Sequence, residues 1–138
     1  MLRKLLVGYD GSAQAERALD FAIGIASENE GSEIHVAYVV QKPAGIPDPV
    51  PDEVLESIRR AGKEELMNAE RLVKKNLIDV AVYLEVGSPG EKLLELAGRL
   101  KPDLVVLGTL QHSASERLLG TVSSYFLKSR SYPLLIVP

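Results

Sequence analysis

Two short stretches hold the residue types that could grip a phosphorylated ligand. Asp10-Gly11-Ser12 closes an apolar run that begins at Lys4, and Gly108-Thr109 closes a second one from Leu104 to Leu107. After Gly108 a polar segment leads to Gly120-Thr121-Val122-Ser123-Ser124. A helix starting there would present unpaired N–H groups and the positive end of its dipole. Glycine lets a phosphate lie against the backbone, and the hydroxyls of Thr121 and Ser123 can add donors. The same residues also suit a plain loop and a capped helix. Asp10 has two equal roles: accepting from a ligand hydroxyl, or capping the turn into the following helix. His112 and Arg117 lie in the same polar segment, and Arg117 is the better anion partner because it is always charged. A solvated role is the default for both.

Other chemistry is excluded by composition or by missing motifs. The chain has no cysteine and only two histidines, His35 and His112, so thiolate catalysis, disulfides and a histidine-rich metal site are set aside. There is no G-x-x-x-x-G-K-(S/T) loop, no G-x-G-x-x-G fingerprint and no G-x-S-x-G elbow. A response-regulator receiver needs an aspartate ending its third strand, where this chain has Leu84-Glu85-Val86. No base, nucleophile and orienting group assemble, so the chain is not read as an enzyme; slow nucleotide hydrolysis stays as an alternative that no residue argues for. A net charge of -3 argues against a general nucleic-acid binder, which needs a basic face. The apolar start breaks at Gly8-Tyr9-Asp10, unlike a signal peptide, and no run reaches the ~20 apolar residues of a membrane span. The expected setting is cytoplasmic.

The elements that must position these residues follow from periodicity. Ala15, Ala18, Leu19, Ala22, Ile23 and Ala26 predict an amphipathic helix over 13–29 with Ser12 as N-cap. Glu33 to Val40 is a second strand, with His35 as a structural histidine. Prolines 43, 47, 49 and 51 make 41–51 an irregular connection. A long helix from Asp52 to Asn76 places Ile58, Gly62, Leu66, Ala69 and Val73 on one face, its charges on a solvated one. Residues 79–86 are a third strand. Ser88, Pro89 and Glu91 form a capping-box start for the next helix, which stops at Lys101-Pro102-Asp103. Leu104–Leu107 is a fourth strand, Thr121 to Ser129 a short helix, and 133–137 a fifth strand. Tyr132, just before it, can pack at an interface. Alternating strands and amphipathic helices predict an α/β fold, a doubly wound five-stranded parallel sheet of order 3-2-1-4-5 with helices on both faces. Its ligand crevice lies beyond the carboxyl ends of strands 1 and 4, where the order reverses.

Four motifs then carry a resemblance along nearly the whole chain: Val7-Gly8-Tyr9-Asp10-Gly11-Ser12, Gly87-Ser88-Pro89-Gly90-Glu91, Asp103-Leu104-Val105-Val106-Leu107-Gly108, and Gly120-Thr121-Val122-Ser123 ahead of Pro133-Leu134-Leu135-Ile136-Val137. The chain resembles the universal stress protein family, with 1–138 as one such domain and the adenine nucleotide alpha hydrolase-like fold. The resemblance implies ATP or another adenine nucleotide as ligand, with or without Mg2+. It puts Asp10, with Gly11, at the ribose and adenine, a backbone contact at Val39 or Val40, Gly108 near the ribose and phosphates, and Gly120, Thr121, Val122 and Ser123 on the phosphates. It also implies a homodimer through the C-terminal strand, 133–138. ATP-binding members carry G-x2-G-x9-G-(S/T) after strand four. Here the second glycine falls on Gln111, and the spacing from Gly108 to Gly120 is one residue shorter. Those departures favour the rival reading, a stress protein without nucleotide that acts through protein contacts alone.

Overall fold

In the computed structural model, residues 2–42, 44–109 and 121–138 are described, Thr121 without its side chain. The elements run β1 (Lys4–Gly8), α1 (Ala13–Ser27), β2 (Glu33–Val40), α2 (Asp52–Lys75), β3 (Asp79–Val86), α3 (Pro89–Leu100), β4 (Leu104–Gly108), α4 (Thr121–Ser129) and β5 (Leu134–Val137). The five strands form one sheet in the order β3-β2-β1-β4-β5, every pair parallel. The expected fold and strand order are therefore observed.

Alternation along the central strands explains the layering. Leu5 and Val7 of β1 face a core with Leu19 of α1 and Leu66 and Val73 of α2. Leu6, between them, faces the opposite core with Leu93, Leu96 and Ala97 of α3 and Phe126 of α4. Successive strand residues point to opposite faces, so a centre strand covered on both sides must be apolar throughout.

Helix ends follow local chemistry. Ser12 caps α1, its hydroxyl accepting the Ala15 N–H at 3.1 Å. The helix ends at Ser27, two residues short of expectation, where the Glu28 and Asn29 N–H groups turn back onto the Ile25 and Ala26 carbonyls. At α3, Ser88 occupies the N-cap in an extended conformation but its side chain makes no capping bond, so the expected capping box is not formed; Pro89 does open the helix. β5 begins at Leu134 rather than Pro133, whose missing N–H cannot join the ladder. His35 is indeed a structural histidine. Its ring is buried, 2.7 Å from the Tyr83 hydroxyl and 2.8 Å from a Glu33 carboxylate oxygen. Among the described residues no helix is long and apolar enough to cross a membrane.

Candidate functional site

The sheet's carboxyl edge is notched at the point where the strand order reverses. β1 pairs with β2 only as far as Gly8↔Ala37, with the Tyr9 N–H closing onto the Ala37 carbonyl at 2.9 Å. β2 continues to Val40, held on its other side by β3. A cleft of about 360 Å³ fills the notch, within the usual size of a small-ligand site. Its floor is Gly8, Tyr9, Asp10, Ala37 and Gly108; Tyr38 to Gln41 run along one side. Ile58 and Ala61 of α2 form one wall, and Pro89, Leu93 and Val122 of α3 and α4 form the other.

Of the residues expected here, Asp10, Val39, Val40, Gly108 and Val122 all line the cleft. Val39 and Val40 differ in what they offer. The Val40 carbonyl accepts the Gly87 N–H at 3.0 Å, on the β3 side. Backbone groups of successive residues in a parallel strand serve the two neighbours in turn. Val39 therefore presents its N–H and C=O toward the β1 side, past the point where β1 ends. One residue thus offers a donor and an acceptor side by side to the cleft.

Asp10 performs the turn role for certain: its carboxylate accepts the Ser12 N–H at 2.9 Å while the residue also borders the cleft. Gly11 lies behind the lining. Its φ of +80 demands a left-handed conformation, and a Cβ there would sit 2.8 Å from the Glu65 carboxyl. Gly108 lines the floor, but its own close neighbour is α1: a Cβ would come 2.8 Å from the Gln14 Cβ. Ser123 is not in the lining. It is 1% exposed and its hydroxyl donates to the Gly108 carbonyl at 3.4 Å. Thr121 opens α4, as expected. Gly120, Gln111, His112 and Arg117 lie outside the described residues.

Sequence reasoning missed the walls, Val122 apart, and the tyrosines. Tyr9 is pushed up to about 12, first by burial and then by the Glu16, Glu65 and Asp10 carboxylates. Tyr38 is also raised, by burial first and then by Glu65 and Asp10. Both hydroxyls therefore stay protonated and able to donate at neutral pH. The described lining holds the Asp10 carboxylate and no lysine or arginine. Among the described residues no group of three His, Asp or Glu could hold a metal ion.

The model of the Universal stress protein family matches residues 1–138. The chain belongs to that family. A universal stress protein of Methanocaldococcus jannaschii is 29% identical over 141 residues, covering 99% of this chain and 82% of the relative. The solved structure of a universal stress protein from Lactobacillus plantarum superposes with a TM-score of 0.83 at 21% identity, covering 99% and 98% of the two chains. A universal stress protein crystallised in complex with cAMP reaches a TM-score of 0.74 at 28% identity, covering 99% and 97%. This universal stress protein therefore has the fold that its motifs implied.

Proposed function

We propose that this universal stress protein is a nucleotide-responsive binding module whose cleft takes ATP or a related adenine nucleotide. The observation that carries it is the Val39 backbone pair facing an apolar-walled notch. The edge of adenine carries a ring-nitrogen acceptor beside an amino donor, which an N–H and a C=O of one residue can match together. The related cAMP complex supports an adenine nucleotide as the ligand class. In this reading Asp10 accepts from a ribose hydroxyl, and the phosphates lie toward the start of α4, near Gly120, Thr121 and Val122, where helix N–H groups and dipole favour an anion. The module works as a homodimer joined along β5, an edge strand of Leu134, Leu135, Ile136 and Val137 that offers unpaired backbone and apolar side chains. Occupancy shifts its partner-binding surface only insofar as the ligand prefers one state.

Gln111 and the shortened segment after Gly108 favour the second reading, a dimer without nucleotide. One experiment separates them. Purified protein is titrated calorimetrically with ATP, ADP and AMP, with and without Mg2+, and the same samples are sedimented. Saturable binding that is lost in Ala61→Phe, which fills the exposed α2 wall, and in Gly120→Val supports the module. No heat at millimolar nucleotide from a protein that sediments as a dimer leaves the protein-contact reading. A monomer with and without nucleotide sinks the β5 dimer.

A further inference from the structure

The cleft's two walls belong to opposite faces of the sheet. Ile58 and Ala61 stand on the α1–α2 side, and Pro89, Leu93 and Val122 on the α3–α4 side. A ring hydrogen-bonded to the Val39 N–H and C=O lies close to the plane of the sheet, because ladder bonds lie in that plane. Such a ring would have one flat side against each wall. The gap between the walls is therefore a slot whose thickness decides what can enter.

Each wall is followed in sequence by a buried glycine: Gly62 lets α2 sit close on the sheet, and Gly90 lets α3 and α4 sit close together. Gly62 comes directly after Ala61, and a Cβ on it would lie 2.9 Å from Val40 Cγ1, 3.0 Å from Leu84 Cδ1 and 3.2 Å from Tyr38 Cδ1. Gly90 comes directly after Pro89, and a Cβ on it would run into the Tyr125 ring of α4. By contrast Gly98, later in α3, has nothing within 4 Å of a Cβ. Helix interiors disfavour glycine relative to alanine. At Gly62 and Gly90 the contacts explain its presence; the open surroundings of Gly98 give no such reason.

We infer that Gly62 and Gly90 are positioning residues that set the slot to the thickness of a single aromatic ring, making the cleft selective for a flat base rather than for a sugar phosphate. This rests on the nucleotide reading above. Neither glycine touches the ligand. Gly62 brings Ala61 and Ile58 down onto one side of the ring, and Gly90 lets the Tyr125 ring of α4 pack against α3, which fixes where Pro89, Leu93 and Val122 stand on the other. Dispersion contacts lose a quarter to a half of their strength when a gap opens by roughly 0.5–1 Å, so a modest shift of either helix is felt.

The test uses AMP as probe on the full chain, read by calorimetry and by methyl NMR. In the wild-type protein, bound AMP should shift the Ile58 and Leu93 methyl signals upfield together, the signature of a ring between them. Gly62→Ala should weaken AMP several-fold and shrink the Ile58 shift. Gly90→Ala should do the same at Leu93, and adding Tyr125→Ala should restore both binding and shift, because the ring that the new methyl strikes is gone. Ribose 5-phosphate, competing for the same site, should be unaffected by either substitution. Gly98→Ala should leave every readout unchanged. AMP binding that is equal in Gly62→Ala, Gly90→Ala and Gly98→Ala, or an upfield shift on one wall only, overturns the slot while leaving the nucleotide reading intact. Failure of the wild-type protein to bind AMP at millimolar concentration overturns both.

Discussion

The two ends of the sheet receive opposite treatment. At the amino end the chain is stitched shut. The Asp103 carboxylate accepts the Arg3 and Lys4 N–H groups at 3.0 and 2.9 Å, and the Lys4 ammonium donates to the Leu100 carbonyl at 3.0 Å. The buried Ser32 hydroxyl lies 2.7 Å from the Leu2 carbonyl and 2.6 Å from that of Asn29. At the carboxyl end β1 stops short, Val39 turns its polar backbone into a cleft, and Tyr9, Tyr38 and Asp10 gather around it. Backbone groups left out of a ladder must find partners elsewhere. The amino end supplies them from within the chain, and the carboxyl end leaves room for a ligand to do so. Stability and binding should therefore separate along the strands.

The largest effect on stability is expected at the stitched end. Ser32→Ala removes a hydroxyl shared by two carbonyls at a site only 6% exposed. Loss of a buried partner costs about 1–3 kcal/mol, which urea unfolding would register, while nucleotide affinity stays unchanged. Equal stability in the variant, or a coupled loss of binding, would break the contrast between the ends.

A smaller effect on stability, with the opposite pattern, is expected from Asp10→Asn. Asparagine keeps a side-chain oxygen for the Ser12 N–H, so the turn survives and unfolding should move by no more than about 0.5 kcal/mol. The charge is lost, and hydrogen bonds to an ionised acceptor are roughly twice as strong as neutral ones, so AMP should bind several-fold more weakly. If affinity is untouched, Asp10 serves only the turn.

Most of the scaffold was legible in the residues because each element states its own period and punctuation. The wholly apolar β4, the alanine-spaced face of α1 and the Pro89 start of α3 each needed only local rules. The site was legible where it sits on strand ends: Asp10 and Gly108 follow from topology, and the family resemblance implied Val39 and Val40. On the helices only Val122 was anticipated, through the resemblance. Ser123 looked like a phosphate donor beside Thr121, but residues two apart in a helix point about 200° apart, and Ser123 turns inward to Gly108. Ile58 and Ala61 sit on a helix whose charges read as a solvated surface. Their place in the cleft depends on how closely Gly62 seats α2 on β2, a tertiary contact between residues far apart in sequence. Ser88 has the right type and position for a cap and still makes no side-chain capping bond, although Pro89 opens the helix directly after it.

The smallest effect is a pH dependence confined to the stitched end. Asp103 is held below its ordinary value of 3.8, chiefly by the Lys4 N–H and then by the Arg3 N–H, against a small opposing effect of burial. A carboxylate whose folded value is depressed binds its proton more readily in the unfolded chain. Its stabilisation is therefore complete above about pH 3.8 and fades as pH falls through the lower folded value. Because Asp103 is exposed, solvent screening keeps the contribution small. In Asp103→Asn the amide oxygen can still accept from the backbone, so stability at neutral pH should change little. The acid limb of a stability–pH curve should become shallower below pH 3.8, with the nucleotide affinity at neutral pH identical to that of the normal protein. An acid limb of unchanged slope would mean that the Arg3 and Lys4 N–H groups do not distinguish the charged carboxylate from a neutral acceptor, and that closure of this end rests on Ser32 and the strand ladder.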